Sequence, residues 1–173
     1  TITHDTDTLV DVTSFEDGAP VAVEAGAAGW YIDLKQGGAW TGEKALSESR
    51  TVANMIQIPT WEPSSGEADA DAVACEQPAA GLNRLYTVSA FDGSPVIEQN
   101  SAAGLTEGDR STALEQSGIA PEVVWLFPSP DNPEDCEGAE CRPPPRCLIG
   151  IERCPGDITF NTTRTFWTQN SVN

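Results

Sequence analysis

Apolar and polar positions alternate at period two in several short runs, each bounded by glycine or proline. Gly29-Trp30-Tyr31-Ile32-Asp33-Leu34 is the first strong one and predicts a half-buried strand. Gly37-Gly38 then predicts a turn and Ala45 to Ser49 a short connection. Thr51 to Thr60 reads as a second strand carrying Val52, Ile56 and Ile58, which Pro59 and Pro63 end. Asn83 to Ala90 is the cleanest strand, with Leu85, Thr87 and Ser89 on one face and Tyr86, Val88 and Ala90 on the other. Phe91-Asp92-Gly93-Ser94 predicts a tight reversal, and Val96-Ile97 a short returning strand that completes a hairpin. Ser111 to Gln116 predicts a turn or two of helix. Val123 to Phe127 predicts a compact strand stopped by Pro128, and Cys147 to Glu152 and Ile158 to Trp167 predict the last two.

The fold class expected is therefore all-β, built from short antiparallel strands. Residues 1–28 are polar, acidic and then alanine-rich, an extension or linker whose only strand-like stretch is Thr8 to Val12. Residues 29–173 form a single β-rich domain. It contains a polar insertion from Pro63 to Gly81 and a cysteine-rich, proline-rich loop segment over 136–154, where Pro143-Pro144-Pro145 favours an extended conformation.

Charge narrows the function. Nine Lys and Arg stand against 27 Asp and Glu, a formal net charge of -18. Such a surface repels phosphates, so nucleic acid and anionic membranes are poor partners. No run approaches the roughly 20 apolar residues that span a bilayer. Thr1 to Pro20 has neither a basic start nor an apolar run, so an exported protein would be represented here by a mature or excised piece. Export is expected from the cysteines. Cys136, Cys141, Cys147 and Cys154 are separated by four, five and six residues, without the tight Cys-x-x-Cys pair usual in structural zinc sites. Disulfides are expected over zinc or free thiols, with three pairings open and Cys75 as the odd member.

Catalytic signals are weak. His4 is the single histidine, no Gly-x-Ser-x-Gly elbow or phosphate-cradling glycine loop occurs, and 27 acids make close carboxylate pairs unremarkable. The chain is expected not to be an enzyme. No cofactor is expected either; Asp5, Asp7 and Asp11 partly mimic a calcium loop but place Leu9 at a ligand position and lack the turn glycine. Asp69 and Asp71 match less well, and the sequon Asn161-Thr162-Thr163 is read as chance. Of five tryptophans, Trp30, Trp125 and Trp167 lie on predicted strands and read as core. Trp40 and Trp61 lie beside turn residues and are the candidate interface, for sugar or protein.

Several segments resemble the PilY family, type IV pilus biogenesis and tip-adhesin proteins of Gram-negative bacteria. Gly29-Trp30-Tyr31-Ile32-Asp33-Leu34 followed by Gly42-Glu43-Lys44-Ala45-Leu46 is similar to the family's "GWY-x-L … GEKVL" passage, and Thr51 to Trp61 stands where the family has a hydrophobic strand. Ala74-Cys75, Gly81-Leu82-Asn83-Arg84-Leu85-Tyr86 and Asp92-Gly93-Ser94-Pro95-Val96 resemble its "C … G-x-x-R-x-Y-x-x-x-x-x-D-G" segment. Gly118-Ile119-Ala120-Pro121-Glu122 and Arg164-Thr165-Phe166-Trp167 resemble its closing elements. The resemblance implies the last part of a C-terminal β-propeller, hence partial propeller blades with a disulfide-rich C-terminal loop region. The family's calcium loop and its von Willebrand-type domain have no match here, so no metal or adhesion residue carries over.

A propeller blade takes about 40 to 50 residues, so the chain holds about two blades' worth of strands and would leave sheet edges exposed. The resemblance therefore implies contacts with pilus components such as minor pilins, or with the remainder of a larger protein. Its location is expected to be extracellular or at the cell surface, at a pilus tip or outer membrane after passage through the periplasm. The alternative expectation is a self-assembling subunit of an extracellular filament, with Thr1 to Val12 donated to a neighbour's open edge.

Overall fold

The computed structural model describes residues 9–16, 19–63, 81–99, 104–116, 118–127 and 144–156. Twelve strands run through them: β1 Leu9–Asp11, β2 Phe15–Glu16, β3 Ala19–Pro20, β4 Gly29–Tyr31, β5 Lys44–Ala45, β6 Arg50–Val52, β7 Met55–Glu62, β8 Leu82–Ser89, β9 Ser111–Leu114, β10 Val123–Leu126, β11 Arg146–Ile149 and β12 Glu152–Arg153. One 3-10 turn, Glu107–Arg110, precedes β9, and no described helix is long and apolar enough to cross a membrane. The chain is all-β with mainly antiparallel pairing, in several small sheets of which none is closed.

The largest sheet is antiparallel and runs β5-β7-β8-β9, with β6 also on the β5 side of β7. Its centre is the eight-residue pairing of β7 with β8, from Met55↔Ser89 to Glu62↔Leu82. This register sorts side chains strictly. Ile56, Ile58, Thr60 and Glu62 share a face with Val88, Tyr86 and Arg84, while Gln57 and Pro59 share the other with Thr87, Leu85 and Asn83.

The second face is the apolar one. A three-stranded sheet, β10-β11-β12, packs there, and Leu85, Leu114, Ala120, Val123, Cys147, Ile149 and Cys154 form the core with Trp125 against it. Two buried polar side chains on this face are engaged in hydrogen bonds. Gln57 accepts from Trp125 Nε1 at 2.7 Å. Asn83 donates to the carbonyls of Gln116 and Gly118 and accepts from the Ala120 amide, holding the loop that leads into β10. Cys147 and Cys154 form a disulfide across the β11–β12 hairpin, settling one pair among the predicted cysteines. Cys75, Cys136 and Cys141 lie outside the described residues.

Three expectations are corrected. Thr51 to Thr60 is a hairpin, because Ala53 and Asn54 both take positive φ (49° and 65°) and reverse the chain between β6 and β7. That pair has the φ signs of the tight hairpin turn usually written Asn-Gly, and Ala-Asn hides it from a sequence reading. Pro59 does not end the strand. Between β6, which pairs up to Gln57, and β5, which starts at Thr60, the outer edge of β7 has no ladder partner, and a residue without an N–H is tolerated there. Ser111 to Leu114 is strand β9 rather than helix, since pairing with Asn83 to Tyr86 overrides local preference. The reversal after β8 does form, through hydrogen bonds from Ser89 N to Ser94 O and from Gly93 N to Ser89 O. Its return is a single bridge, Val88↔Pro95, because Pro95 cannot donate to a ladder.

Candidate functional site

The other face of the main sheet is covered by β1 and by the chain from β4 to β5. Leu9–Asp11 runs parallel to Gly29–Tyr31, and Val12 continues the contact with its amide donating to Tyr31 O. Arg110 donates from Nη1 to Thr13 O and from Nη2 to Val12 O, both at 2.6 Å, and Val12 is fully buried. Alternation along β4 then divides the labour. Trp30 turns inward and donates from Nε1 to Ala90 O at 3.1 Å. Gly93 has φ +67°, and a Cβ there would meet Val12 at 2.9 Å, Trp30 at 3.1 Å and Ile32 at 3.2 Å, so the Asp-Gly turn is also a packing surface.

Asp11 pairs in register with Tyr31, and the two side chains meet. Hydrogen bonds from the Thr13 hydroxyl and amide hold the Asp11 carboxyl below its ordinary range. Partial burial, and then the hydrogen bond to Asp11, push the Tyr31 phenol up. A three-residue turn, Lys35 N to Asp33 O, folds Lys35 back so that its Nζ lies 2.7 Å from Asp33 Oδ2. The same ammonium sits over the Trp40 ring, 4.6 Å from its centroid. Gln36 and Ala39 exchange both backbone hydrogen bonds around Gly37 and Gly38, whose φ values of 56° and 82° close a two-residue hairpin. Trp40 leaves that hairpin 68 % exposed.

Beneath the hairpin is a polar seal. The Glu43 side chain is fully buried and accepts from Thr60 Oγ1 at 2.5 Å and from Gln36 Nε2 at 2.8 Å. Gln36 Nε2 also lies 3.2 Å from the Tyr86 hydroxyl. Arg84 spans from Glu43, 3.9 Å from Nε, to Glu62, 3.3 Å from Nη2. Burial, and secondarily the Glu43 carboxylate, push the Tyr86 phenol up to about 12. Glu43 is thus committed to holding residues 36 to 43 against the sheet. The arrangement presents to the outside an exposed aromatic ring with a lysine ammonium over it and a carboxylate paired to that ammonium.

Of the two predicted interface tryptophans, Trp40 is exposed and Trp61 is half-buried on β7 opposite Lys44. Asp11 is exposed and hydrogen-bonded to Thr13, Asp5 and Asp7 lie outside the described residues, and no group of metal-binding side chains occurs among the described ones. Sequence reasoning missed Lys35, Gln36, Glu43 and Arg110. Glu43 and Arg84 carried a faint signal, as opposite charges beside or within strand patterns that must find partners once buried. No family model matches the chain, and no curated protein or solved structure matches it.

Proposed function

We propose that this chain is a non-enzymatic, exported component of a type IV pilus system, serving pilus assembly, retraction and surface adhesion through contacts made at the cell surface or pilus tip. The observation that carries the reading is spatial. The segments that resemble the PilY family are far apart in sequence yet joined side chain to backbone and side chain to side chain. Trp30 bonds Ala90 at the turn, Glu43 meets Arg84, and Asn83 holds Gly118 and Ala120. These couplings join the resembling segments in one folded unit, as the reading requires. The Cys147–Cys154 disulfide supports an oxidising compartment such as the periplasm or the cell exterior.

In this reading the antiparallel order β5/β6-β7-β8-β9 is one propeller blade, and the remainder of a larger protein or minor pilins would cover its edges. Deleting the parent gene is expected to reduce piliation, twitching and surface attachment; unchanged values for all three would sink the proposal. Sedimentation addresses the filament alternative. Large polymers that shrink when residues 1–12 are removed would favour a strand-exchanging subunit instead.

A further inference from the structure

We infer that the exposed face of Trp40, with the Lys35–Asp33 pair beside it, is a binding site for neutral saccharides. The inference deepens the adhesion part of the proposed function, which it rests on, by naming the chemical class of the surface recognised.

Three features carry it. First, the ring is fixed before any ligand arrives. Lys35 holds one face at 4.6 Å and is itself held by Asp33 at 2.7 Å, while the Gly37-Gly38 hairpin and the buried Glu43 network fix the backbone on either side. Trp40 is 68 % exposed, and a ring already held on one face gives up less side-chain freedom on binding. Second, the group on the ring is polar and already paired, with a donor in Lys35 and an acceptor in Asp33. Sugar hydroxyls both donate and accept, and such a mixed rim suits them while the C–H face of a pyranose lies on the indole. Third, the net charge of -18 repels anionic glycans and leaves neutral ones as the sugars this surface admits.

The test is a titration of the purified chain, followed by intrinsic fluorescence and calorimetry, with cellohexaose, chitohexaose and xylohexaose, and polygalacturonate as the anionic control. Saturable binding to at least one neutral hexasaccharide is expected. Trp40→Ala should weaken it at least tenfold and Trp40→Tyr by less, with unchanged thermal unfolding in both because Trp40 is exposed. Asp33→Asn, which releases Lys35 from its ion pair, should weaken binding several-fold. Flat titrations with all three neutral sugars, binding only to polygalacturonate, or binding untouched by Trp40→Ala would each overturn the inference. A flat titration alongside a Trp40→Ala strain that loses attachment would overturn the sugar while leaving the pilus reading standing. Sugar binding in a protein whose gene deletion has no pilus phenotype would do the reverse.

Discussion

The two faces of the β7–β8 pair are built from alternate residues of the same sixteen-residue ladder and are sealed by opposite means. One face buries Leu85 against Val123, Ile149 and Cys147 and is closed chiefly by shape and apolar area, with hydrogen bonds at Gln57 and Asn83 added to it. The other buries Thr60, Tyr86 and the flank of Arg84 against Glu43 and Gln36 and is closed by hydrogen bonds and charge. Apolar packing has no direction, so the first face tolerates exchange of one hydrophobe for another of equal volume. A buried carboxylate must find its donors in one geometry, so the second specifies where residues 36 to 43 lie and therefore where Trp40 points. The face that displays the candidate site is the one whose seal is directional.

Truncation should hurt both faces, and conservative change should separate them. Leu85→Ala is expected to cost about 3 kcal/mol by leaving a cavity, whereas Leu85→Met should cost under about 1.5 kcal/mol, both read from urea unfolding. Glu43→Ala is also expected to cost about 3 kcal/mol, since Thr60 and Gln36 lose their acceptor in a buried site and Arg84 loses an ion-pair partner. Glu43→Gln, equal in volume, should still cost about 1 to 2 kcal/mol. If Glu43→Gln proves as harmless as Leu85→Met, the contrast between the faces fails.

Alkaline pH sharpens the same contrast. With the Tyr86 phenol at about 12 in the fold and about 10 in the unfolded chain, the two states bind the same proton below pH 10. Above it the unfolded chain releases that proton first, so stability falls from pH 10 to 12 by about 2 to 3 kcal/mol. Tyr86→Phe should remove this part of the decline, and parallel urea midpoints for the two proteins across that range would contradict the burial of the phenol.

Reducing Cys147–Cys154 should loosen the apolar face by about 2 kcal/mol, modest because the loop it closes is short, and should leave the environment of Trp40 unchanged in fluorescence. The smallest effect belongs to neither face. Ala53→Gly relieves a left-handed alanine in the β6–β7 turn and should raise stability by about 0.5 kcal/mol, whereas a loss would mean that the turn is not in this conformation.

Strands whose residues alternate cleanly were legible from composition and pattern. β8 follows its predicted span within a residue at each end, and β10 lies inside the predicted Val123 to Phe127. The predicted Gly29 strand shortens to β4, although its alternation persists in the opposite directions of Trp30 and Tyr31. The β6–β7 hairpin escaped because its turn uses Ala-Asn, and β9 escaped because a four-residue Ser-Thr-Ala-Leu run acquires strand character only from the partner beside it.

The site was half legible. Trp40 stood out as an aromatic next to turn glycines, and nothing in the sequence separated it from Trp61. Pairing did, by laying Trp61 along a strand and leaving Trp40 beyond a hairpin.

What the chain determined by itself is local: where the backbone extends, where glycine lets it reverse, and which acidic balance its surface carries. Tertiary structure alone decided which polar residues are buried together. Glu43, Thr60, Tyr86 and Arg84 come from two strands and a loop, and the cost of burying a carboxylate is offset only once all its partners are in place. That condition is a property of the assembled sheet, and no window of sequence contains it.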